Sequence, residues 1–320
     1  MNEPARAALP ADVLAHERLL WGLCYRMTGS AADADDLVQD TFVRAIERPP
    51  AEPGDAKPWL VKVALNLAKD RLRARKRREY RGEWLPAPVP TEGTLDAIDE
   101  PPSFEPDDRE SPARRYEVVE SVSMAFLLAL EALTPRQRAV VLLCDVFDHS
   151  GKDAADALGI SEVNVKVTRH RARKALAAYE GARLVDRRAL AARTQAALQA
   201  FVVALSIGDE AGARAVLADD AIGLSDGGRD YAAAKMPLHG AARITQAFLG
   251  FTTRGGPVVG VTPLTLNGLP ALLVERAPHQ PNIARRIVLQ GEIGADGRIR
   301  CLYTVLADEK LAGLTAPPVA

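Results

Sequence analysis

The chain has 320 residues, 48% of them hydrophobic, a length and composition suited to two or three globular domains with ordinary cores. Its three cysteines, Cys24, Cys144 and Cys301, stand far apart and odd in number, which excludes a disulfide framework and points to a reducing compartment. A net charge of −1 hides strong segregation of charge along the chain. None of the five histidines falls in an HExxH or HxH spacing, so the pattern implies no metal and no cofactor. "MNEPARAALPADVLAHE" lacks an apolar core of signal-peptide length, and no run reaches the length of a membrane span. A cytoplasmic protein with no membrane partner is expected.

Helical periodicity predicts helices over residues 11–28, 31–47 and 55–78, which together make a small amphipathic bundle. On the third, Leu60, Val63, Ala64, Leu67, Ala68 and Leu72 are expected to face the core. Its opposite side carries Lys62, Asn66, Lys69, Arg73 and Arg77 at spacings of three or four. The stretch 60–78 holds eight Lys or Arg residues against the single carboxylate Asp70. A solvated helix normally alternates sign to gain i,i+4 pairs, whereas this one accumulates positive charge. Phosphates are the natural counterpart, with Asn66 placed to meet a base edge and Trp59 either to stack on bases or to pack in the core.

The second helix has the opposite character. In "SAADADDLVQDTFVRAI", Asp33, Asp36 and Asp40 lie on the exposed side with Gln39 beside them. That face would repel DNA. It reads either as a solvated acidic face or as a docking surface for a basic protein partner.

Residues 83–110 carry nine acids, one arginine and six prolines, so an extended linker is expected over 81–113. Within it, Trp84 and Leu85 of "EWLPAPVP" are apolar residues on a proline-stiffened segment, better suited to docking than to spacing alone. Helical periodicity resumes over 116–133. "TPRQRAVVLLCDVF" then has Thr134 as N-cap and Pro135 at the first helical position.

"GKDAADALGISEVNVKVTRHRARKAL" follows with a short helix, a glycine turn and a longer basic helix capped by Ser161. Ala155, Gly159 and Val165 satisfy helix-turn-helix geometry: a small residue at the crossing, a turn residue able to take positive φ, and a β-branched residue beneath the second helix. The second helix offers Glu162, Asn164, Lys166, Arg169, Arg171 and Arg173 to DNA.

From Thr194 the texture changes. Helices over 189–207 and 209–217 lead to "DGGRDYAAAK", with one more helix before four alternating, turn-separated strands: "VVGVTPLTL", "LPALLVER", "ARRIVLQGEIG" and "RIRCLYTVL". This predicts an α+β domain with a mainly antiparallel sheet.

The quoted segments together resemble bacterial extracytoplasmic-function (ECF) sigma factors. "LLWGLCYRMTGSAADADDLVQDTFVRAI" and "KPWLVKVALNLAKDRLRARKRR" are similar to sigma region 2. "LTPRQRAVVLLCDVFDHSGKDAADALGISEVNVKVTRHRARKAL" is similar to region 4. The resemblance implies all-α domains over 1–80 and 114–183. It implies that Asp36, Gln39 and Asp40 bind core RNA polymerase, that the helix around Asn66 to Arg73 meets the minus-ten element of promoter DNA, and that the helix from Glu162 to Lys174 reads the minus-thirty-five element. Val163, Asn164 and Val167 depart from the family's usual small residues, so a promoter sequence does not carry over.

Residues 184–320 resemble the SnoaL-like, NTF2-type cone domain fused to the ECF41-like group, in which it is thought to regulate the sigma domains. "EWLPAPV", "DGGRDYAAAK" and "ADEKL" correspond to the group's WLPEP, DGGGK and NPDKL with substitutions. On this basis Trp84, Leu85, Asp226, Gly227, Gly228 and Lys235 are expected to mediate interdomain regulation. A small-molecule ligand in the cone and an enzymatic cone using Asp226, Asp230, Tyr231 or His239 are the other readings. They correspond to a ligand-responsive helix-turn-helix regulator and to a SnoaL-like enzyme with a DNA-binding appendage; no catalytic pair with interpretable spacing supports the latter.

Overall fold

The computed structural model describes residues 9–48, 56–76, 83–90, 122–182, 187–277 and 281–314. The chain divides into two compact units, one of residues 1–78 with 92–183, the other of 79–91 with 184–320.

The first unit is all-α. Helices α1 (Ala11–Leu14), α2 (Glu17–Thr28), α3 (Ala31–Glu47) and α4 (Lys57–Lys76) come first, the long 11–28 helix being interrupted near His16. Gly29, at φ 66°, ends α2, and Ser30 caps α3 by accepting from the Asp33 amide. Leu20, Leu23 and Met27 of α2 and Leu37, Val38 and Phe42 of α3 are all buried, on two helices that pack together. On α4 the buried set is Leu60, Val61, Ala64, Leu65, Ala68 and Leu72. Val63 and Leu67 are only half-buried, so the core face is rotated from the expected one toward Val61 and Leu65.

Helix α5 (Met124–Glu131) is capped by Ser123. Helix α6 (Pro135–Val141) starts on a capping box between Thr134 and Gln137 and runs into a π-helical turn at Leu142–Val146. Ser150 and Asp153 form a second capping box for α7 (Gly151–Leu158), and Gly159, at φ 64°, turns the chain into α8 (Glu162–Ala182). Ala155 and Val165 are both buried at the crossing, as their positions in the sequence predict. The two helical sets share buried polar bonds. Arg138, 3% exposed, donates to the carbonyls of Met27 and Leu130 at 2.6 and 2.8 Å and pairs with Glu131 at 2.9 Å. Arg75 donates to the Thr28 carbonyl and both oxygens of Glu131.

The second unit places α9 (Arg187–Ser206), α10 (Glu210–Ala215) and α11 (Ala241–Arg254) with a six-stranded sheet. Its strands are β1 (Leu217–Asp226), β2 (Leu238–His239), β3 (Val258–Leu266), β4 (Leu269–Arg276), β5 (Arg286–Ile293) and β6 (Ile299–Val305), in the order β2-β1-β6-β5-β4-β3. All pairings are antiparallel except β1 with β6. A two-residue turn, Asn267-Gly268 with both φ positive, closes the β3–β4 hairpin. Leu198 and Phe201 of α9 and Ile244 of α11 pack with Leu272, Leu289 and Leu302 of the sheet. A last helix, α12 (Asp308–Leu311), follows β6.

Candidate functional site

On α4, Lys62, Asn66 and Arg73 are exposed, and Lys69 and Trp59 are half-buried; Arg77 lies outside the described residues. Two basic residues off this stripe, Arg71 and Arg75, are committed elsewhere. Arg71 pairs with Asp33 at 2.5 Å and lies 3.5 Å from Asp36, while Arg75 is held by the Thr28 carbonyl and Glu131. Burial, with Arg73 and Arg136 nearby, pushes the Lys69 ammonium below its ordinary pKa. Both the burial and the neighbouring positive charge disfavour that ammonium, a cost that a bound anion relieves. The exposed Arg73–Asp70 pair adds little against that.

The recognition-type helix α8 starts at Ser161, whose Oγ accepts from the Asn164 amide at 3.3 Å. Glu162, Asn164, Lys166 and Arg171 are exposed, and so are the apolar Val163 and Val167 at i,i+4. Arg169 and Arg173 turn the other way. Arg169 donates from Nε and Nη2 to Asp145 Oδ1 at 2.9 and 2.6 Å and reaches the Cys144 carbonyl at 3.1 Å. Arg173 binds both oxygens of the same carboxylate. The Asp145 side chain is fully buried on the π-turn, so two guanidiniums fasten α8 to the helix beneath it. Sequence reasoning missed Asp145, a lone acid inside the apolar run "VVLLCDVF" whose only signal is its distance from any solvated face.

Asp36, Gln39 and Asp40 stand exposed on α3, flanked by the exposed Val43 and Ile46. Asp33 is more enclosed, bonded to Arg71, and Asp35 accepts from the Trp21 indole at 2.7 Å.

In the second unit three separate sequence motifs converge. Leu85 is 0% exposed; its amide donates to Asp226 Oδ2 at 2.8 Å and its carbonyl accepts from Lys310 Nζ at 2.5 Å. Lys310 also pairs with Asp226 at 2.6 Å and sits 4.4 Å from the centre of the Trp84 ring. Asp226 Oδ1 accepts from the Gly228 amide at 2.9 Å, and the buried Gly227 carbonyl accepts from the Tyr231 amide. Farther along, the Val89 amide and carbonyl bond to the side chain and amide of Asn267, and Pro90 bridges Leu266. Segment 83–90 is therefore clasped to the α+β unit.

Lys235 stands exposed outside this clasp, and the cation in it is Lys310, signalled only by its place in "ADEKL". Asp230 and His239 are exposed, while the Tyr231 hydroxyl donates to Asp308. These residues and Asp226 form no acid–base pair among the described bonds. Among the described residues there is also no cluster able to hold a metal, and no helix is long and apolar enough to cross a membrane.

Family models agree with this architecture: residues 13–78 match Sigma-70 region 2 and residues 123–176 match Sigma-70, region 4. The ECF RNA polymerase sigma factor SigJ of Mycobacterium tuberculosis is 29% identical over 306 residues, covering 92% of this chain and 90% of that one. SigG of the same species is 40% identical over 186 residues, 55% of this chain, which spans about half the length of that relative. SigL is 30% identical over 164 residues, half of this chain and 82% of SigL. The crystal structure of SigJ superposes with a TM-score of 0.69 at 23% identity, covering 93% of this chain and 96% of that one, so the likeness of fold extends through the α+β unit. The chain belongs to the ECF RNA polymerase sigma factors. Its fold is that of region 2 and region 4 helical domains followed by an α+β domain folded as in SigJ.

Proposed function

We propose that the chain directs core RNA polymerase to promoter DNA, with the SnoaL-like domain as its built-in regulator. The α4 stripe of Lys62, Asn66, Lys69 and Arg73, with Trp59 at its start, meets the minus-ten element. Helix α8 enters the major groove at the minus-thirty-five element, presenting Ser161, Glu162, Asn164, Lys166 and Arg171. Val163 and Val167, exposed without a core to fill, suit thymine methyl groups. Arg169 and Arg173 act chiefly as positioning residues through Asp145. Asp36, Gln39 and Asp40, with Asp33 at the margin, dock a basic polymerase surface. The reading assigns the chain no catalytic role.

The observation that carries the proposal is the recognition helix itself. Its polar and apolar readers are free of its anchoring arginines, which a buried carboxylate holds behind it. Regulation passes through the clasp of Trp84, Leu85, Asp226, Gly227 and Gly228; Lys235, next to it in sequence, belongs to the same surface loop. Charge reversal by Asp36→Lys with Asp40→Lys tests the docking assignment. Binding to purified core polymerase should fall at least tenfold with the helical circular dichroism unchanged. Undiminished binding would remove α3 from the interface.

A further inference from the structure

A cavity open to solvent at its mouth lies between α9, α11 and the sheet of the second unit. Its wall is almost entirely apolar, built by Val202, Leu205, Phe248, Phe251, Val274 and Leu289 among others. One full charge lies in that wall. Arg276, the last residue of β4, is only 9% exposed. Its Nη1 donates to the Phe251 carbonyl at 3.0 Å, but its buried Nε has no hydrogen-bond partner. Among the described residues no ion pair to it is seen, and burial lowers its pKa.

The seat of this guanidinium is specific. At Gly255 an added Cβ would lie 1.6 Å from Arg276 Nη1, so the missing side chain there leaves the slot that the guanidinium occupies. The terminal carbonyls of α11 favour a cation at this point, which explains why the charge is tolerated. They do not use its remaining donors, which have the fork geometry that matches a carboxylate. A second buried polar atom without a partner, Thr304 Oγ1, also lines the cavity, and Ser225, its register partner on β1, lies beside it.

We propose that this cavity binds an amphipathic organic acid, its carboxylate seated on Arg276 and its apolar body against Phe248, Phe251, Leu205 and Leu289. Apolar walls supply the burial, and one fixed cation selects the charge and direction of the guest. The site belongs to the α+β domain alone, so its test is independent of whether the chain initiates transcription.

The test is calorimetric titration of the full-length chain with decanoate, decanol and decylamine, all below their aggregation concentrations, and with 3-phenylpropionate as an aromatic acid. At least one of the acids should bind, and decanoate should bind about thirtyfold or more tightly than decanol, the loss expected when a buried charge is left unpaired. Decylamine should bind no better than decanol. Arg276→Met should bring decanoate and decanol to the same affinity. Val202→Trp, which fills the cavity and leaves Arg276 in place, should abolish binding of both, and keeps the test open if Arg276→Met does not fold. Failure of both acids to bind the wild-type chain would overturn the proposal. So would equal binding of decanoate and decanol, unchanged decanoate affinity in Arg276→Met, or unchanged affinity in Val202→Trp.

Discussion

Replacing Lys310 by Met should release segment 83–90 from the α+β unit without unfolding that unit. The Lys310 side chain is 8% exposed, and the Asp226 side chain that it pairs with is wholly buried. Removing one partner of a buried pair costs about 3–5 kcal/mol, because the other charge is left uncompensated. Asp226 would keep the amides of Leu85 and Gly228 at 2.8 and 2.9 Å, so the lower end, about 3 kcal/mol, applies. The Leu85 carbonyl and the Trp84 ring lose their contact with the ammonium in the same step. Burial of the Leu85 side chain, worth about 1.5–3 kcal/mol, is what continues to oppose release. About 3 kcal/mol corresponds to roughly a hundredfold increase in the open population. Amide hydrogen exchange on the full chain reads it directly: the Leu85 amide should lose about two decades of protection, while amides of β5 and β6 keep theirs. Asp226→Asn combined with Lys310→Met should cost less than the sum of the two single changes, since both remove one interaction. Unaltered protection at Leu85 in Lys310→Met would refute the clasp as the element that fixes the linker.

Asp145→Ala should destabilise the first unit by about 1.5–3 kcal/mol in urea denaturation, because it removes charged hydrogen bonds to two guanidiniums that are about a third exposed; a loss below about 1 kcal/mol would contradict the anchoring role. Lys62→Ala and Arg73→Ala should each lower the salt dependence of promoter binding by roughly 0.7–0.9 in logarithmic slope, across all promoters. Asn164→Ala or Lys166→Ala should instead change preference among upstream elements by about 1–3 kcal/mol, seen in competition between sequence variants. His149 is pushed down from 6.5 to about 4, chiefly by burial, so its neutral form is favoured in the fold. Its contribution is complete above pH 6.5 and is lost as pH falls toward 4, at most about 3 kcal/mol; in His149→Gln the urea midpoint should vary less over that window.

Helix caps and helix-turn-helix geometry were legible because each depends on local chemistry: Thr134 before Pro135, Ser161 before the basic helix, and the set of Ala155, Gly159 and Val165. The four C-terminal strands were legible from alternation and turns. Strand β1 was not, and the helix expected over 209–217 ends at Ala215 instead. "LADDAIGLSD" puts Asp219 and Asp220 mid-strand and pairs in parallel with β6, about eighty residues later, so nothing local marks it as extended. The core phase of α4 was misjudged for a related reason, since Val61, Val63, Leu65 and Leu67 all satisfy an apolar pattern and only the packing partner selects among them. Trp84 and Leu85 announced docking through their prolines. Their anchors, Asp226 and Lys310, lie more than a hundred residues away, and their separate motifs carry no sign of a shared site. Arg169 and Arg173 look identical to the other basic residues of α8 in sequence; only the buried carboxylate of Asp145 separates their role from that of Lys166 and Arg171.

Promoter-dependent transcription with purified core RNA polymerase tests the central claim most directly. Core polymerase should yield a run-off transcript with one defined start site only when this chain, or its clasp-released Lys310→Met form, is added. Asp36→Lys with Asp40→Lys should abolish that transcript. No specific transcript from either chain on a promoter library, together with polymerase-independent binding to duplex DNA, would contradict it.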